Sequence, residues 1–223
     1  MTCRMRRYAI FSRLLPILEA GKPLARQAVR SYIIRIMPLS APAPREHIHT
    51  REIDCLGYRR ADGLWDIEAH LTDVKTYAFD SEWRGTIEPG TPVHDMWLRL
   101  TLDDDLVVRA VEAVTDASPY QLCPNITPNY QRLIGLSIRP GFMPKARELL
   151  GGIQGCTHLL ELLAPLATTA FQTIFPYRHR LQKDELPKVT EPAKRPRLLE
   201  TCHAFATDSP VVKRYWPGFY TGK

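Results

Sequence analysis

Thiols at Cys123 and Cys156, imidazoles at His94 and His158, and a carboxylate at Asp95 are the side chains whose types and spacing suit joint chemistry. Cys156 and His158 open the apolar run GCTHLLELLAPLATTAFQTIF, residues 155–175. A thiol in the first turn of a helix meets unpaired N–H groups and the positive end of the helix dipole, a setting that favours an anion. On one continuous helix, positions two apart point about 200° from each other, so Cys156 and His158 converge only if Cys156 is the cap and not yet helical. Cysteine, histidine and aspartate are ligands for zinc or, with sulfide, for an iron–sulfur cluster. The same groups could serve a thiol enzyme, with Cys156 as nucleophile, His158 or His94 as base and Asp95 orienting the imidazole. Each also has a plain structural reading: a core cysteine, a loop Cys-Pro, a turn or solvated His-Asp pair.

The surrounding pattern indicates what would bring them together. LWDIEAHLTDV, residues 64–74, alternates Trp65, Ile67, Ala69 and Leu71 with polar residues, which predicts a half-buried strand. YRRADG before it ends in Asp-Gly and turns an earlier strand into it. EPGTPV, residues 88–93, reads as a loop. MWLRLTL and LVVRAVEAV then flank Asp103-Asp104-Asp105 as a second antiparallel hairpin. Both strands of that hairpin open away from the acidic turn, so His94, Asp95 and Cys123 emerge at one end of the sheet. Helices are predicted over residues 128–135, 144–150 and 155–175, the last buried nearly all round and kinked by Pro165 at a cost of about 3 kcal/mol. Strands first and helices after predict an α+β fold, an antiparallel sheet of N-terminal hairpins covered on one face by C-terminal helices.

Length and charge narrow the class. The chain has 223 residues, 44% hydrophobic, enough for one domain with a real core. Its net charge of +6 is uneven: residues 1–36 hold eight basic side chains against Glu19 alone, +7, which leaves −1 for the rest. A near-neutral body is not a phosphate-binding surface, so no nucleic-acid partner is expected. Residues 1–36 read as a basic leader outside the domain, with a true start at Met37. The core domain is expected over 37–180, a charged Pro-rich linker over 181–197, and a docking tail over 198–223. Residues 155–175 contain His158, Glu161 and Pro165 and make a poor lipid-facing span, so no membrane partner is expected. Widely spaced cysteines without a secretory signal suit a reducing cytoplasm.

Two resemblances bear on function. HDMWLRLTLDDDLVVRAVEAVTDASPYQLC, residues 94–123, and ARELLGGIQGCTHLLELLAPLATTAFQTI, residues 146–174, resemble the NifU-like iron–sulfur cluster assembly scaffolds. That resemblance implies a NifU/SufE-like core, with Asp95 at the scaffold's aspartate, Cys123 at its second cysteine and Cys156 at its third; the first cysteine has no counterpart beyond His94. From Met37 to Gly222, REHIHTREIDCLGYRRADGLWDIEAHLTDVKTY, VHDMWLRLTLDDDL, GCTHLLELLAPLATTAFQTIFP and TCHAF resemble a bacterial family known as domain of unknown function 2889. It implies no activity.

The readings that follow are a metal-binding or iron–sulfur scaffold-like protein using His94, Asp95, Cys123, Cys156 and His158, a thiol enzyme, or a binding module. In the last, Trp65, Trp83 and Trp97 would hold a hydrophobic ligand or a protein partner. His47 and His49 in REHIHTRE share one strand face, and Cys202-His203 lies in the tail; either pair could add to a site.

Overall fold

The computed structural model describes residues 39–182, 195–196 and 198–222. The basic leader and most of the expected linker lie outside the described residues. Residues 39–47 are exposed and without regular structure.

From Ile48 onward, the alternation in sequence becomes a four-stranded antiparallel sheet, ordered β1-β2-β5-β6. Its strands are β1 (His49–Arg59), β2 (Trp65–Lys75), β5 (Pro92–Leu102) and β6 (Val108–Ala117). A small hairpin of β3 (Phe79–Ser81) and β4 (Gly85–Ile87), not foreseen from the sequence, fills the connection from β2 to β5. Asp62-Gly63 turns β1 into β2 with Gly63 at a φ of 86°, a left-handed conformation that only glycine adopts without strain. The second hairpin turns on Asp103, whose Oδ1 accepts the backbone N–H groups of Asp105 and Val107.

Period-two burial sorts the sheet into two faces. Trp65, Ile67, Ala69 and Leu71 of β2 and Met96, Leu98, Leu100 and Leu102 of β5 point into one core, each almost wholly removed from solvent. The opposite face carries Glu68, His70, Trp97, Arg99 and Glu112, with Arg99 bonded to both glutamates. This is the α+β arrangement, with helices on a single face.

The helical half departs from expectation in two places. Residues 123–133 form a 3-10 helix rather than an α-helix over 128–135. Pro124 and Pro128 lie four apart, and Pro128 has no N–H to give to the carbonyl of Pro124, so the α-type ladder fails there. The long apolar helix is also split. Helix α1 (Phe142–Leu150) ends where Gly151 N–H meets Arg147 O at 2.8 Å. Helix α2 (Thr157–Glu161) follows, the hydrogen-bond ladder lapses at Leu162, whose backbone stays helical (φ −66°, ψ −21°), and α3 (Leu163–Gln182) continues. Pro165, which has no N–H to give to the carbonyl of Glu161, accounts for the lapse and lies in the first turn of α3.

By length and composition the segment Thr157–Arg178 would pass as a membrane span, although the sequence reading set it aside on His158, Glu161 and Pro165. Here it is a one-sided core helix, not buried all round. Leu159, Leu162, Leu163, Leu166, Ala170 and Ile174 enter the core, while Phe171 and Tyr177 stay exposed. Its apolar stripe is accounted for by the sheet beneath it. At Gly57 of β1 the helix comes so close that a Cβ would collide with the side chain of Thr173.

Candidate functional site

One row across the sheet carries the chemistry. Arg51 of β1 pairs with Asp73 of β2, and Asp73 pairs with His94 of β5. All three stand on the helix-covered face, because Asp73 continues the inward series from Trp65 to Leu71 and His94 continues that of Met96 to Leu102. Beside them the β2–β5 register shifts between Asp73 and Val74, and Val74 faces Pro92. Such a bulge increases local twist and re-aims the adjoining side chains.

Asp73 is the hub, a carboxylate only 2% exposed. Arg51 grips it with a two-pronged hydrogen bond, Nε to Oδ1 and Nη2 to Oδ2, each 2.8 Å. Its remaining bond runs from Nη1 to Glu161 Oε2 on α2, also at 2.8 Å. His49 Nε2 lies 3.0 Å from Asp73 Oδ1, and His94 Nδ1 lies 3.0 Å from Oδ2. Burial pushes the Asp73 pKa up, but the Arg51 hydrogen bonds and charge, reinforced by His94, outweigh it and bring the group to about 2. A buried carboxylate is tolerated ionised here because the paired donors and the charge of Arg51 meet both of its oxygens.

The helices close the site from above. Cys156 is the cap of α2 with extended backbone (φ −105°, ψ 130°), so its side chain need not diverge from that of His158. Its Sγ lies 3.9 Å from His158 Nδ1 and 3.9 Å from Met96 Sδ. His158 Nε2 in turn lies 3.9 Å from Asp73 Oδ2, and the His94 and His158 rings overlap with centroids 3.8 Å apart. Tyr130 fixes the entry to the helix: its buried hydroxyl accepts the Cys156 N–H at 3.2 Å and donates to the Cys156 carbonyl at 2.9 Å. Burial, then the neighbouring His158, lowers the His94 pKa, while burial followed by Arg51 lowers that of His158. Both imidazoles are therefore neutral at neutral pH, with lone pairs available.

Among the described residues, Asp73, His94 and His158 form the one cluster whose ligand atoms all lie within 4.8 Å of one another. His94, His158 and Cys156 thus come together at the end of the sheet. Asp95, one residue out of phase, points through the other face and pairs with His70 at 2.7 Å, where His70 also stacks on Trp97. Cys123 opens the 3-10 helix with its N–H on Tyr120 O and is not in the cluster. Cys202 is exposed at the start of the short turn His203–Phe205, and neither residue belongs to the cluster. The sequence by itself does not single out Asp73 or Arg51, whereas His49 belongs to the His47/His49 pair that it marks as able to add to a site. Asp73 had a signal: a lone acid at the next inward position of an otherwise apolar series.

A family model described as "Protein of unknown function (DUF2889)" matches residues 49–172, more than half of the chain. The chain belongs to this family. The DUF2889 match takes in β1, from which His49 and Arg51 project, and extends through Asp73, His94, Tyr130, Cys156 and His158. Residues 198–222, with Cys202 and His203, lie beyond it. No curated protein and no solved structure matches the chain.

Proposed function

We propose that the protein binds one divalent transition-metal ion through Asp73, His94 and His158. The observation that carries this reading is the convergence of one carboxylate and two neutral imidazoles within 4.8 Å at the covered end of the sheet. Two nitrogens and an oxygen suit zinc or ferrous iron better than calcium or magnesium, which prefer all-oxygen shells. Three protein ligands leave coordination positions for water or another ligand. Around them, Arg51 orients Asp73, and Cys156 sits on the far ring nitrogen of His158, as outer partners of metal ligands do. Among the described residues, Cys156 is the one thiol in contact with a side chain of the cluster, so the donor set favours an isolated ion over an iron–sulfur cluster, which takes several thiolates. The test is metal uptake by the full chain, read by equilibrium dialysis and elemental analysis. One equivalent of zinc or cobalt in the parent, with Asp73→Asn, His94→Ala and His158→Ala each weakened at least tenfold, is expected. Stoichiometric uptake unaffected by all three would place the metal elsewhere.

A second reading is favoured by one line of contacts, from Cys156 Sγ through the two nitrogens of His158 to Asp73. It is the order of a thiol nucleophile, its base and an orienting carboxylate. Fast alkylation of Cys156 near neutral pH in metal-free protein, abolished by His158→Ala, would favour it over the metal site.

A further inference from the structure

Resting on the metal reading, we infer that the loaded site takes an oxyanion ligand, a carboxylate or phosphate group, held jointly by the ion and Arg51. The charges at this end of the sheet point to it. Asp73 and Glu161 carry two negative charges and Arg51, which is bonded to both, carries one positive. Metal-bound imidazoles are neutral, so a divalent ion takes the group from −1 to +1. Lys75, the cation at the end of β2, is turned toward the rings of Tyr77 and Phe79, 5.2 Å and 5.6 Å from their centroids, and as a cation does not offset the excess. A positive, half-covered site with open coordination positions attracts an anion.

Arg51 is equipped to receive it. A guanidinium has five N–H donors. Three are spent on Asp73 and Glu161, which leaves two on a side chain 35% exposed. Its Nη2 and the His94 and His158 nitrogens are gathered around the same oxygen, Asp73 Oδ2, at 2.8, 3.0 and 3.9 Å. An oxygen ligand on the ion therefore lies within reach of the guanidinium, and carboxylate and phosphate are the groups whose paired oxygens fit both.

The experiment loads the full chain with cobalt(II), confirms uptake by dialysis, and titrates acetate and methyl phosphate while recording the visible absorption of the ion. The expected result is a saturable spectral change with one of the two, which identifies the anion class. Arg51→Gln, loaded at a cobalt concentration that dialysis shows to saturate it, should raise the half-saturating anion concentration at least tenfold, and Arg51→Lys should fall between. The lysine variant, which keeps a cation beside Asp73, carries the test if the glutamine variant does not fold. Cobalt uptake without a spectral response to either anion, or with the same response in the Arg51 variants, overturns the anion assignment and leaves the metal site standing. No cobalt uptake overturns both.

Discussion

Asp73 and His94 face each other across neighbouring antiparallel strands, and the imidazole Nδ1 lies 3.0 Å from a carboxylate that is almost wholly buried. Neither residue would sit at this depth alone. The pair is stable there because Arg51, from the third strand of the row, supplies a cation to the same carboxylate.

The first prediction concerns acid stability. Asp73 has a folded pKa of about 2 against an ordinary 3.8, so its stabilising contribution is complete above the unfolded value and disappears as pH falls through the folded one. The shift corresponds to about 2 kcal/mol. Urea unfolding of metal-free protein should therefore show Asp73→Asn less stable at pH 7 by about 2–4 kcal/mol, since Arg51 is also left unpaired. The gap should narrow between pH 4 and pH 2; a gap independent of pH would mean that Asp73 is not held ionised by these contacts.

Metal affinity should have its own pH profile. The lowered pKa values of His94 and His158 mean that protons compete with the ion only below the ordinary histidine range. Zinc affinity measured by competition should stay level from pH 8 to 6.5 and fall at lower pH. A steep decline already between pH 8 and 7 would contradict neutral, pre-formed imidazole ligands.

Gly57 tests the seating of α3 on β1. Its Gly→Ala variant brings a methyl group against Thr173, at a cost of about 1–3 kcal/mol. Thr173→Ala in the same chain should restore most of the loss, measured as the unfolding midpoint in urea. Failure of the second change to compensate would show that the close approach is relieved by other means.

Tyr130 should matter to both stability and the thiol. Phenylalanine there leaves the N–H of Cys156 without its hydroxyl partner, while the carbonyl keeps the Leu160 N–H, at a cost of about 1–3 kcal/mol. Release of the helix entry should also speed alkylation of Cys156 by several-fold relative to the parent. Equal alkylation rates would separate Tyr130 from the positioning of the site.

Local patterning in the sequence determined much of this protein. The alternation of Trp65 to Leu71 and of Met96 to Leu102 marks two strands and their inward faces, the Asp-Gly turn and the acidic turn mark the hairpins, and strands before helices mark the class. That alternation, carried outward, also settles that His94 points in and Asp95 points out, because adjacent strand residues take opposite faces. The same phase includes Asp73, a site residue legible in one strand's pattern. Only the tertiary structure decided the rest. Arg51 is brought to Asp73 by the register of β1 on β2, twenty-two residues away in sequence. His158 and Cys156 reach the row because Cys156 caps α2 with extended backbone and Tyr130 holds that cap by its N–H and carbonyl at the sheet end. Pairing register and helix docking depend on contacts between distant segments, and those exist only once the core has formed.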